Sequence, residues 1–212
     1  MTPDTTVREL TALALNCTLK RSGGEPSSTD VLLDQIDKEL AGSGVVVSPR
    51  VRVADHDVRP GVTSDEGDGD EWPSIRERIL AADLLVIGTP IWLGHPSSLA
   101  QRVLERLDAF LGEKDDDGRL ISLPRVAMVA VVGNEDGAHH VGAELYQGLN
   151  DVGFTIAAQA MTYWVGEAMQ GTDYKDLAGP PETVAGATAT MVANAVHLAR
   201  LLRASNYPTP PG

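Results

Sequence analysis

Val126 to Val132 reads Val-Ala-Met-Val-Ala-Val-Val, an unbroken apolar run bounded by Arg125 and Gly133. A strand with one solvated face alternates apolar and polar residues, whereas a strand buried on both faces has no need to. This run therefore predicts the central strand of a parallel sheet. A second short run, Leu84 to Ile87, is followed by Gly88-Thr89-Pro90, residues that commonly punctuate a strand.

Helix-period segments alternate with these strands. Leu10 to Leu15 is a first strand candidate, and Thr29 to Leu40 a helix with Leu32, Ile36 and Leu40 on one face. Val45 to Val53 reads as an edge strand, and Trp72 to Ala82 as a helix. A helix from about Ser97 carries Leu99, Val103, Leu107 and Phe110. Another spans Ala138 to Val152, a fifth strand spans Phe154 to Val165, and a last helix runs from Glu182 to Arg203. Strands alternating with helices predict an α/β three-layer sandwich around an open parallel sheet. Within 1–212 we expect one domain with three irregular features: an acidic loop at 63–71, a long loop at 165–181 and a Pro-rich tail at 206–212.

Charge narrows the partners. The 212 residues carry a formal net charge of −13, which opposes binding to phosphate-rich nucleic acid or an anionic membrane surface. No run reaches the roughly 18 apolar residues of a membrane span. The first residues lack the basic and apolar regions of a signal peptide, so a cytoplasmic location is expected. The one cysteine, Cys17, excludes an internal disulfide. Cations near it in sequence would lower its pKa, while the default use of such a residue is as a small apolar filler. The acidic loop reads as a solvated segment, and its spacing does not match a calcium loop.

In a parallel sheet, loops that leave the carboxyl ends of strands share one edge, where α/β proteins bind ligands. Three loops qualify. The first, Asn16 to Thr29, ends in hydroxyls before a helix, where unpaired N–H groups and the helix dipole favour an anion. Thr18, Ser27, Ser28 and Thr29 offer hydroxyls, and Lys20 and Arg21 add charge. Ser28 or Thr29 acting simply as a helix cap is the competing use of the same residues. Neither GxxxxGK[ST] nor GxGxxG is present, which disfavours a nucleoside triphosphate or a dinucleotide in the usual cradles.

The second loop is Gly88 to Ser98. Trp92, between Pro90 and Gly94, is placed to wall a flat ligand. The third, Gly133 to His140, has glycines for close backbone approach and Asn134 as both donor and acceptor. Glu135 and Asp136 would repel an anion, so this loop suits the polar edge of a neutral heterocycle, or the two carboxylates simply face solvent. His139 is a possible catalytic group near such a ring, and His95 also lies close in sequence. His140 and Glu144 are spaced i, i+4, yet the spacing indicates no third metal ligand, so no metal site is expected. Tyr163 and Trp164 end the fifth strand, and the long loop beyond them, with Met169 and Tyr174, is placed to cover a ligand or a neighbouring subunit.

Taken together, the loops resemble the NADPH-dependent FMN reductase branch of the flavodoxin-like superfamily. Thr89-Pro90-Ile91-Trp92-Leu93-Gly94 matches that family's second loop, and Pro96-Ser97-Ser98-Leu99 is similar to its entry into the third helix. Thr18-Leu19-Lys20 and Ser27-Ser28-Thr29 resemble its first loop, with Ser22-Gly23-Gly24-Glu25-Pro26 inserted and Lys20 where the family often has Arg. The resemblance implies a flavodoxin-like sheet of order 2-1-3-4-5. It implies that Thr18, Lys20, Ser27, Ser28 and Thr29 hold the FMN phosphate. Pro90, Ile91, Trp92, Leu93 and Gly94 would line the isoalloxazine, with Gly133, Asn134, Glu135, Asp136, Gly137 and Ala138 at its pyrimidine edge. The implied activity is hydride transfer from NAD(P)H through FMN to a small acceptor such as a free flavin, a quinone, or an azo or nitro compound. A homodimer or homotetramer is implied as well. A flavodoxin-type electron carrier and a flavin-free binding protein are the alternatives.

Overall fold

The computed structural model describes residues 9–168 and 170–210. Its centre is a mostly parallel sheet of β1 (Thr11–Asn16), β2 (Val46–Val47), β3 (Val51–Arg52), β4 (Leu84–Trp92), β5 (His95–Pro96), β6 (Val126–Gly133) and β7 (Thr155–Val165). The order is β2-β1-β4-β6-β7, with β3 also on β1 and β5 on β4. This is the expected 2-1-3-4-5 order with its second strand split into two short pieces, both on the same edge. The fold is flavodoxin-like.

Alternation along each strand sends successive side chains to opposite faces. Leu13, Leu15, Leu85, Ile87, Val129 and Val131 pack with α2 (Trp72–Ala81), α3 (Ser98–Leu107) and α4 (Ala138–Asp151). Ala12, Ala14, Leu84, Val86, Met128 and Ala130 pack with α1 (Ser28–Gly42) and α5 (Glu182–Ala204). The apolar run of β6 is buried throughout because helices cover both sides of it.

β4 continues through Gly88-Thr89-Pro90 instead of ending there, and the backbone shows why. Gly88 faces β1, its carbonyl accepting the Cys17 N–H at 2.8 Å. Pro90, two residues on, faces the same side, but β1 has ended by then, so no partner is lost for want of an N–H. Gly88 is needed for packing: a Cβ there would lie 2.8 Å from Leu33 Cδ1 of α1. At the far edge, β7 bulges between its pairings with Ala127 and Val129, and Gln159 within the bulge takes a φ of 56°. Bulges of this kind blunt an edge strand against unwanted pairing.

The acidic loop is not simply solvated. It wraps around Arg106, which is fully buried beside Trp72. The guanidinium pairs with Asp70 at 2.7 Å and donates to the Thr63 and Arg59 carbonyls at 3.1 and 3.0 Å. Burial alone would raise the Asp70 pKa, but Arg106 and the Glu66, Trp72 and Arg59 N–H groups hold it down at about 2. No described helix is long and apolar enough to cross a membrane.

Candidate functional site

At the carboxyl edge of the sheet, the first and second loops and the start of the third meet around one cleft. Its cavity volume is about 140 Å³, and its mouth opens to solvent. Thr18, Lys20, Ser27, Ser28 and Thr29 of the first loop, Pro90, Ile91 and Trp92 of the second, and Gly133, Asn134 and Glu135 of the third line it. Leu93, Gly94, Asp136, Gly137 and Ala138 lie outside this lining. Leu19, Val132 and Asp173 join it without having been singled out in the sequence.

The first loop is held from beneath. Buried Asn16 accepts the Thr18 N–H at 2.9 Å and donates to Asp30 at 2.5 Å. Asp30, in the first turn of α1, would repel an anion, but it pairs with Arg50 at 3.1 Å and with Arg52. Ser27, rather than Ser28 or Thr29, is the helix cap, its Oγ accepting the Thr29 N–H at 3.2 Å. The Thr18 hydroxyl accepts from Lys20 N at 3.4 Å, and the Ser28 hydroxyl from Lys175 N at 3.3 Å. Both hydroxyls therefore keep a proton to give to an anion. The Lys20 ammonium is turned to Glu25 of the inserted segment at 3.3 Å.

The second loop is a β4–β5 hairpin in which Trp92 pairs with His95. Its two-residue turn, Leu93-Gly94, has φ values of 51° and 80°, as a primed hairpin turn requires. Trp92 is 54% exposed on the cleft wall. Glu135 does more than face solvent: its Oε1 accepts the Leu93 N–H at 3.0 Å and couples the hairpin to the third loop. Gly137, at φ 122°, brings the same loops into backbone contact, since a Cβ there would lie 2.8 Å from Gly94 Cα. Asp136 is exposed and accepts the Gly137 N–H at 2.7 Å.

Ser97 was legible only as the start of a helix, yet it is a hub. Its hydroxyl donates to the Cys17 carbonyl at 2.5 Å and accepts the Ala100 N–H at 3.1 Å, while its own N–H goes to Thr89 Oγ1. Cys17 is buried, and burial pushes its thiol up to about 12, so it is a filler without thiolate character.

His139 does not reach the cleft. It stands edge-on to Tyr163 at 5.1 Å, in a separate hollow with Tyr146 and Met161. His95 and His140, by contrast, both reach Glu144 Oε1, at 3.0 and 2.8 Å, so a third candidate ligand joins the i, i+4 pair after all. The long loop folds back over α1. Tyr174 is buried against Trp164 and donates to Gln35 at 2.7 Å, while Asp173 reaches the cleft beside Asn134. Met169 and residues 211 and 212 of the tail fall outside the described residues.

The model of the NADPH-dependent FMN reductase family matches residues 10–170. A Streptomyces davaonensis protein, 8-demethyl-8-aminoriboflavin-5'-phosphate synthase, is 36% identical over 94% of this chain and 81% of its own length. A Mycobacterium bovis protein named divalent metal cation transporter MntH is 39% identical over 92% of this chain; the chain spans only 29% of that protein. The crystal structure of RosB with bound 8-demethyl-8-formylriboflavin-5'-phosphate superposes with a TM-score of 0.83 at 35% identity, covering 93% of this chain and 82% of that one. An NAD(P)H:quinone oxidoreductase from Methanothermobacter marburgensis, 13% identical with a TM-score of 0.59 over 88% of this chain and 98% of its own, shares the fold.

Proposed function

This chain belongs to the NADPH-dependent FMN reductase family, and from that premise we propose that its cleft holds FMN and that the protein is an NAD(P)H-dependent oxidoreductase acting on a small acceptor. One observation carries the reading: hydroxyls with protons to give, Thr18 and Ser28, and an aromatic side chain, Trp92, line the same cleft.

The fit can be argued group by group. A phosphate at the α1 N-terminus would accept from the Thr18 and Ser28 hydroxyls and from first-turn N–H groups, with the Asp30 charge already offset by Arg50 and Arg52. Lys20 is exposed enough to leave Glu25 and join them. Pro90, Ile91 and Trp92 give a planar ring an apolar wall, and Asn134 gives its polar edge a donor and an acceptor. Bound FMN would supply the redox chemistry, taking hydride from NAD(P)H and passing it on. The chain's own part is to orient the ring and to shield one of its faces. No side chain needs to act as acid or base, and His139 lines a separate hollow rather than the cleft. The exposed side of Trp92 is left for the acceptor, or for the second copy of the chain that a dimer or tetramer would bring.

Anaerobic mixing of FMN-loaded protein with NADPH tests this. Rapid loss of flavin absorbance is expected; reduction no faster than that of free FMN would overturn the oxidoreductase reading. A second reading is that a flavin phosphate is the substrate itself, and the similarity to the aminoriboflavin phosphate synthase favours it. Mass spectrometry of the flavin recovered after turnover separates the two. The mass is unchanged under the first reading and altered under the second.

A further inference from the structure

We propose that His95, His140 and Glu144 form a binding site for a divalent transition-metal ion, with zinc as its natural type. The donor atoms come from two separate elements. His95 lies on β5, directly after the hairpin turn, and His140 and Glu144 lie one turn apart on the same face of α4. His95 Nδ1 and His140 Nε2 converge on a single oxygen, Glu144 Oε1, at 3.0 and 2.8 Å. All three donor atoms lie within 4.8 Å of one another, and the two rings meet edge-on at 5.0 Å.

These separations suit coordination. Around a tetrahedral ion with bonds of about 2.0–2.1 Å, neighbouring ligand atoms stand about 3.3 Å apart. Opening the two contacts to Glu144 by a few tenths of an ångström, with the two ring nitrogens, already within 4.8 Å of each other, brought to that spacing by side-chain rotation, would admit the ion. Two imidazoles and a carboxylate select zinc and its first-row neighbours over magnesium and calcium, which prefer oxygen alone. In the ion-free arrangement each ring nitrogen must present its N–H to the carboxylate. Three protein ligands leave the remaining positions to water, and both histidines are exposed. The chain's net charge of −13 adds a general attraction for cations.

The site also has a mechanical consequence. The Gly94–Gly137 contact already seats the hairpin against the start of α4. An ion across His95, His140 and Glu144 would cross-link the two elements, and the site does not depend on whether flavin occupies the cleft.

Calorimetric titration of the chelator-stripped, full-length protein with zinc chloride is the test. One equivalent should bind, and His95→Ala, His140→Ala and Glu144→Gln should each weaken it at least tenfold, with circular dichroism confirming the fold. His197→Ala, on the exposed face of α5, should leave binding unchanged. Zinc should raise the melting temperature of the unaltered protein and not of the His95 variant, and Co²⁺ should give a visible ligand-field spectrum that is lost in each of the three site variants. Failure of the unaltered protein to bind zinc overturns the proposal. So does undiminished binding in His95→Ala, or an equal loss in His197→Ala.

Discussion

The Leu93 N–H donates to Glu135 Oε1 at 3.0 Å, joining the tip of one loop to the base of the next. This bond helps to hold Leu93 at a φ of 51°, a conformation costing a non-glycine residue about 1–2 kcal/mol. The Leu93 side chain is 90% exposed, so it recovers little of that cost by burial. Asn tolerates the conformation and keeps the N–H donor. Leu93→Asn should therefore raise the melting temperature, by about 2–4 °C per kcal/mol gained in a chain of this size. A fall would reveal that the leucine side chain has a partner.

Gly137 sets how closely these loops approach. Gly137→Ala adds a Cβ that meets Gly94 backbone at 2.8 Å, at a φ of 122° that alanine avoids. Melting temperature and FMN affinity should both drop. Gly24→Ala, in the open first loop at an ordinary φ, should change neither by much. Equal behaviour of the two variants in both assays would contradict a fixed approach of the hairpin to α4.

Trp92→Ala removes the exposed aromatic wall of the cleft. Loss of an aromatic contact of about 0.5–1.5 kcal/mol should weaken FMN roughly twofold to twelvefold. The visible spectrum of any bound flavin should shift with it. Unchanged affinity and spectrum would place the indole away from the ring.

Strong acid should weaken the Arg106–Asp70 pair. The Asp70 pKa is depressed to about 2 in the folded state, against about 3.9 in an unfolded chain. Its contribution, about 2 kcal/mol, is thus fully present above pH 4 and is lost as pH falls toward 2. Asp70→Asn leaves the buried guanidinium without its counter-charge and should cost about 3–5 kcal/mol at neutral pH. That variant should also lose part of the decline in melting temperature between pH 4 and 2. An identical slope in both proteins would locate the acid sensitivity elsewhere.

What could be read in the sequence was whatever depends on neighbours along the chain. The apolar runs of β1, β4 and β6 and the 3.6-residue pattern of Leu32, Ile36 and Leu40 announce a sheet covered on both sides. Thr89-Pro90-Ile91-Trp92-Leu93-Gly94 was the most specific part of the family resemblance. What could not be read depends on partners far away. Gly88 looks like a strand terminator until Leu33 is seen against it. The acidic loop looks solvated until Arg106, buried more than thirty residues downstream, is seen inside it. His95 stands 49 residues from Glu144, and no spacing rule joins them. Asp173 enters the cleft only because Tyr174 anchors its loop to α1.

The central claim is that this cleft grips a flavin by its phosphate at one end and its ring at the other. Equilibrium titration with FMN and with riboflavin, repeated on a Thr18→Ala, Ser28→Ala double variant, tests it most directly. Charge-assisted hydrogen bonds are worth about 1.5–3 kcal/mol each, so FMN should bind at least roughly tenfold more tightly than riboflavin. The double variant should lose most of that preference while keeping its affinity for riboflavin. Equal affinity of the unaltered protein for the two flavins, or no binding of FMN, would contradict the account.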